Sequence, residues 1–274
     1  MDSALEAFAV TIRAPEADID LARAALLIAT VEHPGVPVEQ YLDALDALAD
    51  RSGCVAARDP LRRLHRLREF VFEEEGFGGN VDDYSDPRNS CLNDVLDRRL
   101  GIPITLSLVL IEVGRRVGLS IDGVGLPGHF IVSAHVGEDR ILLDTFNGGA
   151  MLTHEGCVDV VTRAIGRRVD LVDDHFAPVA KRQLLSRMLN NLKAVYWRHE
   201  QWEKALAVID LRLAVDERSR EDLRDRGTIL IHTGERRRGV ADWERYLTRY
   251  PQAPDAEEMR GRLRRVRQTL AALN

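Results

Sequence analysis

The chain has 274 residues, 45% hydrophobic and 30% charged, with 20 glycines and 10 prolines, which excludes disordered, collagen-like and low-complexity classes and suits one large domain or two ordinary ones. The formal net charge of −6 is uneven, with 17 basic and 30 acidic side chains over residues 1–177 and 21 and 14 over residues 178–274, a first sign of two modules. The longest apolar stretch, Ile102 to Val113, is broken by Glu112 and falls short of the roughly 20 residues that span a bilayer, so no transmembrane helix is expected.

The opening MDSALEAFAV places Asp2 and Glu6 where a secretory signal carries basic residues, which predicts a cytoplasmic protein. Residues 17–31 repeat apolar positions at intervals of three and four, and His33-Pro34-Gly35 stops them, the pattern of an amphipathic helix. Val38–Ala49 reads the same way after Pro37. Asp59-Pro60 opens a third helix as cap and first-turn proline, with Leu61, Leu64, Leu67, Phe70 and Val71 along one face, ending near Gly76. From Gly76 to Asn89, glycines and DDYSDP predict a polar loop.

Asn89-Ser90 is expected to cap a short helix from Leu92 to Arg99. A second helix, Thr105 to Val117 with Gly118 behind it, is apolar nearly all round and should be buried at the centre of its domain. After the glycine-rich GVGLPG, the runs Phe130–His135 and Arg140–Leu143 flank Val136-Gly137-Glu138-Asp139 as a β-hairpin. From residue 178 the pattern is helical and repeats at a period of 34, matching Tyr196 with Leu230, Ala205 with Gly239, Ile209 with Trp243 and Glu217 with Pro251. These are the small, large and turn positions of a tetratricopeptide-type hairpin, although Lys193 stands where the first unit would have glycine. Two units and a final helix from Ala256 to Leu273 are expected. So short a repeat should dock its last helices on the first domain.

Cys54, Cys91 and Cys157 lack CxxC spacing, which argues against disulfides and structural zinc. His129, His135, His154 and His175 lack the spacing or companions of a metal site, and phosphate-loop and dinucleotide signatures are absent. No cofactor or metal is expected. His129 begins one hairpin strand and Asp144 ends the other, so the two should meet at one end of the hairpin, where a carboxylate can orient an imidazole. A thiol at a helix amino terminus would complete a Cys-His-Asp set. The central helix opens with Ile104, Thr105, Leu106 and Ser107, leaving Cys91, at the start of the preceding helix, or Ser107 as candidate nucleophile.

The ordered motifs SDPRNSCLNDVLDRRLGIPITLS, GVGLPGHFIV and LLDTFNGG, followed by tetratricopeptide-like helices containing LRDRGTIL, resemble the SirB1 family over about residues 20–255. That resemblance implies an amino-terminal domain of the transglutaminase-like superfamily. In active members a cysteine opens the central helix, the helix ends in arginine and a glycine-apolar pair, and the next two strands supply histidine and aspartate. Here Arg115-Arg116-Val117-Gly118-Leu119 matches the helix end, His129 and Asp144 match the pair, and the nucleophile position falls between Pro103 and Ser107, where there is no cysteine. Cys91 is followed by its own Arg98-Arg99-Leu100-Gly101-Ile102-Pro103, but at one to two helical turns too short a spacing, at about 1.5 Å per residue.

The reading is therefore an α+β protein: amino-terminal helices over residues 1–75, a transglutaminase-like core over 76–175 and a tetratricopeptide-like repeat over 178–274. It is expected to be non-catalytic and to act in protein–protein interaction or regulation. The alternative is a cysteine hydrolase or acyltransferase that uses Cys91 or a serine with the His-Asp pair. Stacked helical hairpins form a concave face, and Arg212, Arg224, Arg226 and Arg245 are expected to offer carboxylate-binding forks there to an acidic segment of a protein partner. Nucleic acid is not an expected partner, because the Arg236-Arg237-Arg238 cluster lacks interleaved aromatic residues.

Overall fold

Four helices build the amino-terminal layer of the structure, a computed structural model that describes residues 2–272. They are α1 (Asp2–Arg13), α2 (Leu21–Ala29), α3 (Val38–Arg51) and α4 (Pro60–Glu69). α2 starts at Leu21 and not at residue 17 because Asp20 accepts the Arg23 N–H at 3.0 Å and caps the helix there, leaving Glu16–Asp18 as a single 3-10 turn. Asp59 caps α4 in the same way ahead of Pro60. Past Glu69 the helix widens into a π turn, Phe70–Glu74, and carries Phe70, Val71 and Phe72 into the core.

The segment after Gly76 is more than a loop: β1 (Gly78–Gly79) runs parallel to β2 (Leu100–Gly101). Gly79 is required there, since a Cβ would lie 2.5 Å from the Phe146 ring. α5 (Leu92–Arg98) follows Cys91 directly. The expected cap residues Asn89 and Ser90 lie instead in a 3-10 turn, Pro87–Ser90, which Asp86 caps by accepting the Arg88 N–H at 2.9 Å. The central helix α6 (Pro103–Arg116) begins two residues before Thr105 because Pro103, with its fixed φ and missing donor, suits the first helical position. All of α6 except Ile111, Arg115 and Arg116 is buried. Its one buried carboxylate, Glu112, is paired with Arg116 at 2.6 Å.

β3 (Ile121–Val124), β4 (Ile131–Val136), β5 (Asp139–Asp144) and β6 (Ala150–Leu152) form an antiparallel meander against α6. The expected hairpin is β4–β5, closed by the two-residue loop Gly137-Glu138 with Gly137 at φ +63. α7 (His154–Ile165) is capped by Thr153 and covers the other side of the sheet through Cys157, Val158 and Val161.

Five helices complete the chain: α8 (Lys181–Arg198), α9 (Trp202–Val215), α10 (Arg220–His232), α11 (Arg236–Arg249) and α12 (Ala256–Ala272). Leu273, the expected end of the last helix, lies outside the described residues. The docking falls on the first hairpin and not on the last helices. Leu185, Met188, Leu192 and Tyr196 of α8 and Val208 and Ile209 of α9 belong to the same apolar core as Phe8, Leu26, Leu92 and Leu108. That core crosses residues 175–178, where the sequence suggests a boundary. Basic residues of the first hairpin fasten to the acidic amino-terminal layer, Arg182 to Glu16 at 2.6 Å and Lys204 to Glu32 at 2.9 Å. α10, α11 and α12 bury a smaller cluster of Leu223, Trp243, Tyr246, Met259 and Leu263.

Candidate functional site

The β4–β5 register places Val132 opposite Leu143, which brings the residue that precedes β4 by two, His129, beside Asp144 at the end of β5. His129 Nε2 lies 3.1 Å from Asp144 Oδ1, with both side chains almost wholly buried, 8% and 1% exposed. Gly128 at φ +68 turns the chain into this position. Asp144 Oδ1 also accepts the Phe146 N–H at 3.1 Å, and Oδ2 accepts Asn147 Nδ2–H at 2.7 Å. Burial alone would push the Asp144 carboxyl up; the hydrogen bonds from His129 and Asn147 outweigh it and hold the group below the usual carboxylate range. The turn carrying these donors is pinned from behind, because Phe72 of the π turn occupies the space where a Gly149 Cβ would lie, 2.4 Å from the ring.

His129, with Asp144 buried behind it, faces a cleft of about 400 Å³ lined also by Tyr84, Pro103, Phe146, Asn147 and Arg163. The residue that α6 contributes to this cleft is Pro103, which has no nucleophilic atom. The candidate nucleophiles lie elsewhere. Thr105 is consumed by the helix start, accepting the Ile102 N–H at 3.1 Å and donating to Asn89 O at 2.7 Å. Ser107 sits one turn deeper, fully buried, with its Oγ 2.9 Å from Thr145 Oγ1, and ties α6 to the end of β5 instead of facing His129.

Cys91 is also misplaced for a triad. Its thiol is fully buried at the start of α5 and donates to Pro87 O at 3.5 Å. Among the described residues no hydrogen bond joins it to His129. Burial pushes the Cys91 thiol up, and Asp94, Glu32 and Asp86 push it further, the opposite of what a nucleophilic thiolate needs. Cys157 is likewise pushed up to about 11 by burial and by Asp144.

Three of the four arginines expected to receive an acidic segment are taken by carboxylates of the chain itself. Arg212 Nε donates to Asp222 Oδ1 at 2.8 Å; Arg224 reaches Asp255 at 2.9 Å and Asp225 at 2.8 Å; Arg226 reaches Asp242 at 2.7 Å and Asp210 at 3.1 Å. Asp222, Asp242 and Asp210 come from neighbouring helices, Asp225 from α10 itself and Asp255 from the turn before α12, all at intramolecular concentration, and a guanidinium fork matches them in geometry. Arg245 is exposed and meets no carboxylate among the described residues. Lys193, anomalous for a glycine position, bonds Asp222 and Asp225, each at 2.7 Å. No group of three or more histidine, cysteine or acidic side chains is arranged to hold a metal among the described residues, and none of their helices is long and apolar enough to cross a membrane.

Sequence reasoning found His129 and Asp144 but missed Tyr84, Phe146, Asn147, Arg163 and, beside them, Arg187 and Asn191 of α8. Phe146 and Asn147 stand in the quoted LLDTFNGG; the others come from distant segments with no local signature.

Comparison with known proteins agrees with this architecture. Residues 38–190 match the transglutaminase-like superfamily and residues 192–264 a tetratricopeptide repeat. A UPF0162 protein of Xylella fastidiosa (strain Temecula1) is 34% identical over 252 residues, covering 89% of each chain. One from Vibrio cholerae is 30% identical over 204 residues, covering 74% of this chain and 75% of that one. Mouse F-box only protein 21 is 28% identical over 137 residues, 47% of this chain and 21% of that protein. No solved structure matches the chain.

Proposed function

Because this chain belongs to the transglutaminase-like superfamily, and within it to the family of the UPF0162 proteins, yet its central helix brings a proline and no nucleophile to the cleft of its histidine, we propose that it is a pseudoenzyme: a cytoplasmic, non-catalytic protein that acts through protein–protein interaction. The order of its motifs supports grouping it with the SirB1 family. The division into residues 1–75, 76–175 and 178–274 is kept as an assignment of roles, with partner binding given to the last part.

The observation that carries this reading is that α6 contributes Pro103, and no nucleophilic side chain, to the cleft that His129 lines. His129 and Asp144 then serve the fold by joining two strand ends that a glycine-rich approach leaves short of side-chain packing. Replacing His129 with alanine leaves Asp144 short of a partner and is expected to lower stability by about 1–3 kcal/mol. The same variant should leave the rate of iodoacetamide labelling at Cys91 unchanged and low at neutral pH, with no amide or ester turnover to lose. Fast labelling of Cys91 that depends on His129, or His129-dependent turnover, would establish the cysteine hydrolase or acyltransferase instead.

The repeat offers the interaction surface. Of Arg212, Arg224, Arg226 and Arg245, the last is available to an acidic segment, since the other three are held internally. Arg245→Glu is expected to weaken binding of a glutamate-rich peptide without changing the thermal midpoint; equal affinity for both proteins would remove Arg245 from the partner site.

A further inference from the structure

The cleft beside His129 has a second, smaller lobe of about 170 Å³, and the two lobes meet at Tyr84, Pro103, Gly128 and His129. Neither lobe is lined by a carboxylate, although residues 1–177 carry many more acidic than basic side chains. Arg187 of α8 lines the smaller lobe. Its Nη2 donates to two backbone carbonyls, Leu126 O at 3.3 Å and His129 O at 3.2 Å, and its guanidinium carbon stands 5.2 Å from the centre of the Phe130 ring. Gly125 makes the room: a Cβ there would lie 2.1 Å from Nη1. The guanidinium is thus fixed in place before any ligand arrives.

Its charge is nevertheless uncompensated. Among the described residues Arg187 meets no carboxylate, and its Nε and Nη1 donate to nothing. Burial lowers its pKa, the mark of a cation removed from water without a counter-charge. Asn191, one turn further along α8, lines the same lobe with its amide unbonded among the described residues. The amino end of the 14-residue α6 opens beside them and adds partial positive charge. The larger lobe has apolar walls from Pro103, Phe146 and Val160, with Arg163 as its one cationic lining residue among the described residues.

We propose that this cleft binds a carboxylate carried on an apolar body, with the carboxylate on Arg187 and Asn191 and the body against Pro103, Phe146 and Val160. Within the smaller lobe a single planar fork with one amide beside it matches a planar monoanion, since a phosphate dianion calls for more positive charge than one guanidinium. The site lies in the transglutaminase-like core and is independent of the partner surface assigned to the repeat. Two sources share this chemistry, the carboxyl-terminal residue of a polypeptide and a free apolar acid.

Three probes that share one isobutyl side chain distinguish the possibilities: N-acetyl-L-leucine, its carboxamide and 4-methylpentanoate. Titration of the full chain is read by the NMR shifts of the Arg187 Nε–H and the backbone amides of His129 and Phe146. The acids should saturate these shifts, and the carboxamide should bind at least about tenfold more weakly, the loss expected for one charge-assisted contact. Tighter binding of N-acetyl-L-leucine identifies a polypeptide terminus, and tighter binding of 4-methylpentanoate a free acid; either supports the site. Arg187→Gln and Asn191→Ala should each weaken the acids, and Asn191→Ala keeps the two bonds that Arg187 makes to the 126–129 turn, so its result stands even where the first variant perturbs folding. Equal binding of acid and carboxamide, unchanged affinity in Asn191→Ala, or no shift at about 10 mM ligand, where a millimolar binder is mostly bound, overturns the proposal.

Discussion

Alanine at position 222 is expected to lower the stability of the repeat by about 3–5 kcal/mol, the cost of breaking a buried ion pair by removing one partner. Asp222 is 1% exposed and accepts from Lys193 Nζ at 2.7 Å, Arg212 Nε at 2.8 Å and Ser219 Oγ at 2.6 Å. Without it, Arg212 is left with the Ser186 carbonyl at 3.1 Å, whereas Lys193 retains Asp225, which places the loss toward the lower end of that range. Burial alone would push the Asp222 carboxyl up, but the bonds from Arg212, Lys193 and Ser219 outweigh it and hold the group below the usual carboxylate range. A carboxyl lowered by folding contributes stability above its unfolded value, near 4, and loses it as the pH falls through the folded value. The difference between wild type and Asp222→Ala in urea unfolding should therefore be full at pH 7 and shrink below about pH 4. A loss under about 1 kcal/mol at pH 7, or a difference independent of pH, would show that the network is not a stabilising unit.

Valine at position 239 should be nearly as damaging, at about 3 kcal/mol, the upper end of the cost of overpacking. Gly239 of α11 lies against α10 so closely that its Cβ would meet Gly227 O at 2.6 Å and Ile231 N at 3.0 Å. Backbone cannot yield as a side chain does, so the two helices must separate and expose the Trp243 cluster. Gly261 of α12 supplies the control: the nearest atoms to a Cβ there are arginine ends at 3.9 and 4.0 Å. Gly261→Ala is expected to gain up to about 1 kcal/mol from helix propensity alone. Thermal unfolding followed by circular dichroism reads both, and equal midpoints for the two variants would refute the close approach.

Much of this architecture is legible in the sequence because it depends on short-range periodicity. α3, α4, α6 and the β4–β5 hairpin follow from apolar spacing and turn residues, and the hairpin's own geometry brings His129 to Asp144. The period of 34 picks out Gly239 as a small position before any contact is known. What is not legible depends on pairing across distance. The arginines of α9 and α10 are visible, but not that acids 10 to 31 residues away along the chain claim Arg212 and Arg224. β1 and β2 are two residues each and owe their existence to each other. The glycines at 78 and 79 read as a flexible loop because the Phe146 ring that requires one of them lies far along the sequence. Arg187 carries no signature at all; its interest arises only from carbonyls and a ring supplied by the 126–130 segment.

The apolar core shared by α8 and α9 with the amino-terminal layer sets a timetable for synthesis. A chain leaving the ribosome presents α1, α2 and α6 long before Leu192, Tyr196, Val208 and Ile209, the side chains that cover them. The transglutaminase-like half therefore emerges with an open apolar flank that cannot close until about residue 215 has cleared the exit tunnel, and over that interval it is a target for chaperones and proteases. Truncation just past residue 178 would make this open flank permanent, and the superfamily match itself runs on to residue 190, into the α8 that begins to cover it.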